Sequence, residues 1–237
     1  MNPLITMVVP VYSQPAMLRK QMETWQRYPM AVRDAFRFVV VDDCSPVPVE
    51  DLVRDFRHNQ QVPIDLYRID KDIPWNRGMA RNLGTHVAET DWILHVDTDH
   101  VLGADGAKAL AANVSTWCPK RWYRFRRFRM GRADETRKKD KIPPDAAYGE
   151  IHPHIDSYLC TKEAYWRAGG YNEDFSGVLG GGSPFLKEME KANGPHCVSA
   201  VALDVYTRDA VSDSSEHTLP RSPEAFKRRK QEIMAKR

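Results

Sequence analysis

The feature that most constrains this chain is a fourfold alternation in its first hundred residues. Short apolar runs at 5–12 (ITMVVPVY), 36–41 (FRFVVV) and 92–96 (WILHV), with a third strand expected at 64–68 (IDLYR), are separated by helical segments. Runs that are apolar at nearly every position belong to strands buried on both faces. Helices are expected over 15–28, 49–58, 76–89 (after Pro74) and 104–117. Strands and helices alternating in this way require a parallel sheet covered on both sides, so the fold class is α/β. In such sheets ligands bind beyond the carboxyl ends of the strands. Here those ends carry Tyr12, then Asp42 and Asp43, then Asp97 and Asp99.

The second half is less regular. A strand is expected at 122–130, a polar Pro-containing loop at 133–153, and a short strand at 157–161. A helix follows at 162–168, then a helix at 185–193, a strand at 198–206 and a basic helix from Pro223. A length of 237 residues, 42% of them hydrophobic, suits one folded domain and excludes a disordered chain. Cys44, Cys118, Cys160 and Cys197 form no C-x-x-C motif, so they read as reduced thiols. The apolar N-terminus lacks a basic flank and a cleavage site, and no run reaches the length of a membrane span. The expectation is a cytoplasmic protein without a membrane span, in a host cell if the chain is viral.

Three clusters carry chemistry. Asp97-Thr98-Asp99 directly follows an apolar strand, which holds carboxylates rigidly at an exposed edge. Two carboxylates at i and i+2 can share one hard cation, and the cation can neutralise a diphosphate. Asp42-Asp43 also ends a strand, where a carboxylate can accept from a base N–H or ribose hydroxyls or, alternatively, can cap the next turn. Between these lies Asn-Arg-Gly-Met-Ala-Arg-Asn-Leu-Gly, residues 76–84. Arg77 and Arg81 are four apart, share a helix face and can reach a diphosphate.

Taken together, Val-Pro-Val-Tyr (9–12), Val-Val-Asp-Asp-Cys-Ser (40–45), Arg-Gly-Met-Ala-Arg-Asn-Leu-Gly (77–84) and Asp-Trp-Ile-Leu-His-Val-Asp-Thr-Asp (91–99) resemble family-2-type glycosyltransferases of the GT-A fold. Gly-Gly-Tyr-Asn-Glu-Asp-Phe (169–175) looks like that family's acceptor-side motif, and Pro-Trp-Asn-Arg (74–77) is similar to animal galactosyl- and N-acetylgalactosaminyltransferases. The resemblance runs from about residue 4 to 190. It implies a single GT-A domain, with a Rossmann-like donor half at 1–100 and an acceptor half at 101–237. It also implies a nucleoside diphosphate sugar as donor, and Mn²⁺ or Mg²⁺. Tyr12, Asp43 and Asp42 would then lie at the nucleotide, Arg77, Arg81 and Asp97 at the phosphates, and Asp97 and Asp99 on the metal. His217, in the loop after the last strand, would complete the metal shell, with His152 and His154 as alternatives; imidazole suits Mn²⁺ better than Mg²⁺.

One departure stands out. The family places Glu-Asp or Asp-Asp after Gly-Gly at the start of the late helix, and the Asp is the base in inverting enzymes. Here Gly181-Gly182 is followed by Ser183-Pro184. The base is then another carboxylate, with Asp174, Glu173, Asp156 and Glu188 as candidates, or the enzyme retains anomeric configuration and needs none on that face.

Charge is unevenly spread. Residues 120–141 hold eleven Lys/Arg and three Asp/Glu, a local +8 in a chain of net +3. Unpaired arginines do not suit a buried strand. Arginines interleaved with aromatics (KRWYRFRRFRMGR, 120–132) offer phosphate neutralisation plus stacking, as a nucleic-acid surface does. The favoured acceptor on this reading is nucleic acid, specifically a hydroxymethylated base in phage-type DNA. The alternatives are a polysaccharide or lipid-linked glycan and, outside the enzymes, a non-catalytic nucleic-acid-binding protein on a degenerate transferase fold.

Overall fold

The computed structural model describes residues 4–59, 61–130, 149–178, 181–207, 210–213 and 223–235. In chain order the elements are β1 (Ile5–Val11), α1 (Pro15–Gln26), α2 (Met30–Arg33), β2 (Phe36–Asp42), α3 (Glu50–Asn59), β3 (Ile64–Arg68), α4 (Arg77–Val87), β4 (Trp92–His95), β5 (His100–Val101), α5 (Ala104–Asn113), β6 (Trp122–Met130), β7 (Glu150–Ile151), β8 (Tyr158–Thr161), α6 (Lys162–Arg167), α7 (Gly182–Asn193), β9 (Cys197–Tyr206) and α8 (Pro223–Ala235). One mixed sheet runs β3-β2-β1-β4-β8-β6-β9-β5, with β7 added on β6. The pairs among β3, β2, β1 and β4 are parallel, as the alternation requires, and β8 joins β4 antiparallel.

β1 shows why its run is apolar throughout. Ile5, Met7, Val9 and Val11 pack into one core with Trp25 and Phe38, while Val8 packs into the opposite core with Val39, Ala80 and Ile93. α4 lies close on this second face. A Cβ placed on Gly84 would stand 2.3 Å from Val8 Cγ1, so only glycine allows this approach. Gly84→Ala should therefore destabilise the fold by roughly 1–3 kcal/mol, an overpacking cost. A urea midpoint equal to wild type would show that α4 does not pack this tightly.

In the second half, Trp122, Tyr158, Tyr165, Tyr171, Phe185 and Met189 form a separate aromatic core under α6 and α7. β6 corrects the view of its arginines. The strand lies inside the sheet, between β8 and β9, with a register shift between Phe125 and Arg126. Trp122 and Phe125 are fully buried, so neither is available to stack on a base. The arginines are tolerated because the fold pairs them: Arg126 with Glu150, Arg127 with the His152 carbonyl at 2.6 Å, and Arg124 with the Pro153 carbonyl. β5 and β7 fall where the sequence pattern shows only loop. Each has two residues, too few to register a period. The rest of the basic segment, 131–141, lies outside the described residues.

Candidate active site

The parallel strands bring Tyr12, Asp42–Asp43 and Asp97 to one edge, and α4 starts there because it leaves the carboxyl end of β3. The two β2 carboxylates differ in role. Asp42 accepts from the Ser45 N–H at 2.8 Å on Oδ1 and from Arg68 on Oδ2, and Arg68 also bonds the Ser45 carbonyl at 3.0 Å. Both Asp42 oxygens are engaged within the fold, shaping a turn in which Cys44 holds a φ of 61°. Asp43 accepts from Asn76 Nδ2 at 2.8 Å, and Asn76 in turn accepts from Ser176 Oγ at 2.6 Å. Burial raises the Asp43 pKa to about 6, with the Asn76 bond opposing. Tyr12 reaches Asp72 with its hydroxyl at 3.4 Å.

Asp97 is the hub of the second cluster. Its Oδ1 accepts from Arg81, and its Oδ2 lies 3.0 Å from His154 Nδ1. Burial would raise the Asp97 pKa, but Arg81 and then His154 hold it well below the usual carboxylate range. Arg81 has no exposed side-chain surface. It also donates to the Asp156 carbonyl at 3.3 Å and to the Arg77 carbonyl at 3.4 Å. Burial works against its charge; the carboxylates of Asp97 and Asp156 more than reverse this and hold its pKa above the usual value. Arg81 thus lies behind Asp97, whereas Arg77 is 37% exposed and sits 3.5 Å from Asp156 Oδ2.

The backbone of the Asp97–Asp99 loop is clamped. Buried Gln21 donates from Nε2 to the Thr98 carbonyl at 3.0 Å and the His100 carbonyl at 2.7 Å, and Thr98 Oγ1 donates to the Pro10 carbonyl at 2.7 Å. Asp97, His100 and His154 each bring a potential ligand atom within 4.8 Å of the others. His100, however, is occupied: Nε2 accepts from Arg127 Nη1 at 3.2 Å, so Nδ1 carries the proton and donates to Ser157 Oγ at 2.5 Å. Burial, then the neighbouring His154, push the His100 pKa well below the usual value, consistent with a neutral ring. Asp99, 17% exposed, stands 3.9 Å from His100 Nε2. With His100 engaged, Asp97 Oδ2 and the His154 ring are the two members of this cluster left to meet a cation, and Asp99 follows on the same loop.

Asn82 ties α4 to the acceptor-side motif. It donates to the Tyr171 carbonyl and Glu173 Oε1, each at 2.9 Å, and accepts from the Tyr165 hydroxyl at 2.6 Å and the Tyr171 N–H at 2.9 Å. Asp156 is almost fully buried. Its Oδ1 accepts from the Tyr171 hydroxyl at 2.8 Å, and a Cβ on Gly182 would stand 2.9 Å from that same oxygen. The Asp156 carboxylate therefore touches the first turn of α7.

Residues 6–117 match the model for glycosyltransferase like family 2. A validoxylamine A glucosyltransferase of Streptomyces hygroscopicus is 28% identical over 110 residues, which are 46% of this chain and 25% of that one. S. aureus TarS 1-349, solved with UDP-GlcNAc, matches 98% of this chain and 66% of its own, with a TM-score of 0.64 at 18% identity. A mannosyltransferase from Pyrobaculum calidifontis, solved with GDP-Man and Mn²⁺, matches 99% of this chain and 62% of its own, with a TM-score of 0.57 at 18% identity. The chain has the GT-A glycosyltransferase fold, with a family-2-like first half. The aligned region spans only a quarter of the curated relative's length.

Within this GT-A fold the expected site residues fall into three groups. Tyr12, Asp43, Arg77, Asp97 and Asp99 lie at or beside the strand edge. Asp42 and Arg81 lie behind it, turned into the fold. Among the candidate bases, Asp156 reaches the start of α7, whereas Asp174 sits in an exposed 3₁₀ turn (Glu173–Phe175) and Glu173 is bonded to Asn82. Glu188 is six residues beyond Gly182, about 9 Å along the helix axis. His217 lies outside the described residues. Gln21, Asn82, Ser157 and His100 are supporting residues that the sequence reading did not find. Only Asn82, a polar residue among small ones in a helix, carried a signal.

Proposed function

We propose that this chain transfers a sugar from a nucleoside diphosphate sugar to an acceptor hydroxyl, assisted by a divalent cation. The observation that carries this reading is the contact of Asp97 with His154, on a loop that also holds Asp99, at the carboxyl edge of a GT-A sheet. Asp97, Asp99 and His154 would hold the ion, and the imidazole favours Mn²⁺. When bound, the ion neutralises charge on the departing diphosphate. Arg77 adds a guanidinium at the same edge, and Arg81 keeps Asp97 ionised and in place. Asp43 accepts from the nucleotide, with Tyr12 beside it. Of the candidate bases we favour Asp156, which lies against the first turn of α7 where the family's Glu-Asp pair is missing.

For the acceptor, the likeness to a validoxylamine A glucosyltransferase supports a saccharide-like hydroxyl compound. The nucleic-acid reading, including hydroxymethylated DNA, keeps the +8 charge of residues 120–141 in its favour but loses the stacking residues Trp122 and Phe125 to the core. We take the cytoplasm as the compartment on the strength of the cysteine pattern; among the described residues no helix is long and apolar enough to cross a membrane.

The donor assignment is tested by thermal shift against a panel of nucleotide sugars with Mn²⁺, at pH 7.5 and pH 5.5. Ionised Asp43 offers both oxygens as charged acceptors, whereas protonation turns one of them into a donor, so with a pKa of about 6 donor affinity should fall on acidification. Fold stability responds oppositely: folded Asp43 holds its proton more tightly than the unfolded chain does, so its contribution is fully present below the unfolded value of 3.8 and is lost as the pH rises through about 6. Asp43→Asn should weaken donor binding at pH 7.5 by on the order of 1–3 kcal/mol and flatten the pH dependence. Stabilisation by no nucleotide sugar in the panel would contradict the reading.

A further inference from the structure

An open groove of about 720 Å³ lies between β6, the 150–153 segment and His196, lined by Arg124, Arg126, His152 and His196 among others. The size suits a small-molecule ligand. Its two arginines differ. Arg126 is neutralised by Glu150 through two bonds of 2.6 Å. Arg124 is not: it donates to the Pro153 carbonyl, its Nε is buried without a hydrogen-bond partner among the described residues, and no carboxylate there lies within ion-pair distance of it. A half-buried cation lacking a contact counter-ion is unfavourable until an anion meets it. Burial also pulls the Arg124 pKa down, and Glu190 and Asp156 oppose this. The groove adjoins the reaction centre. His152 and Pro153 lead directly into His154, which touches Asp97, and Arg127 of the same strand bonds the His152 carbonyl.

We propose that this groove seats an oxyanion carried by the acceptor, a carboxylate or a phosphate, so that the sugar is transferred to an acidic saccharide-like acceptor. The proposal names the acceptor class and rests on the transferase reading. Arg124 offers the fork that pairs with carboxylate or phosphate, and His196 stands beside it in the wall. Of the nearby carboxylates, Glu150 in the wall is paired with Arg126, and Glu190 stands 3.6 Å from His196 Nδ1.

The test is ¹⁵N NMR of the arginine Nε–H signals in the full chain. Arg81 and Arg124 both have buried Nε groups, so the donor edge and the groove report separately. With Mg²⁺ and a saturating nucleoside diphosphate present, inorganic phosphate and glucuronate are titrated in turn. A saturable shift of the Arg124 signal with at least one of them is the expected result, and which one binds names the oxyanion. Arg124→Lys, which keeps the charge but not the fork, should weaken that binding about tenfold or more. No saturable shift with either anion would overturn the proposal. If the nucleoside diphosphate leaves Arg81 unmoved while phosphate moves Arg124, the donor reading fails and the groove assignment stands.

Discussion

Arg81→Met should cost about 3–5 kcal/mol of folding stability, the largest loss expected from any single change at the strand edge. The side chain is fully buried and bonds Asp97 and the carbonyls of Arg77 and Asp156. Methionine fills similar volume but leaves the largely buried Asp97 carboxylate with only the His154 and His100 rings beside it. Chemical denaturation measures the loss, and a second variant identifies its cause. Asp97→Asn in the Arg81→Met background removes the stranded charge and should recover part of the stability, a coupling that a double-mutant cycle isolates. A double variant no more stable than the single one would mean that Arg81 stabilises by packing under Tyr171 rather than by neutralising Asp97.

Asp99→Ala should behave in the opposite way. Asp99 is partly exposed at the loop tip, and the loop backbone is held by Gln21 and Thr98 whatever occupies position 99. Stability should change by about 1 kcal/mol or less. Sugar transfer should fall by at least about 10²-fold, because the residue acts on charge that develops only as the diphosphate departs. Single-turnover transfer together with a melting curve separates the two effects. A variant that melts early, or that transfers at the wild-type rate, would remove Asp99 from the ion's shell.

The donor side of this fold was legible in the sequence because its signals are local. β1, β2 and β4 are apolar at nearly every position, and polar residues follow close on each of their carboxyl ends. Ile64–Arg68 and Trp122–Met130 have the bounds that the pattern implies. What stayed hidden depends on pairing between distant residues. The division of labour between Asp42 and Asp43 follows from Arg68, which lies 26 positions from Asp42. His100 has no spacing that distinguishes a ligand from a buried ring held by Arg127 and Ser157. The arginines of β6 read as a surface because their partners, Glu150 and the carbonyls of His152 and Pro153, sit more than twenty residues away in the chain. The replacement of the Glu-Asp pair by Ser183-Pro184 was visible at once, but Asp156 could be placed against Gly182 only in three dimensions.

The central claim, cation-assisted transfer from a nucleoside diphosphate sugar, is tested most directly by nucleoside diphosphate release. The wild-type chain and Asp99→Ala are incubated with a donor that stabilises the fold, with Mn²⁺, with Mg²⁺ and with EDTA. Release is expected from wild type with Mn²⁺, less with Mg²⁺, and at background for EDTA and for the variant. Equal release in EDTA, or no release under any condition from a donor that binds, would contradict the account.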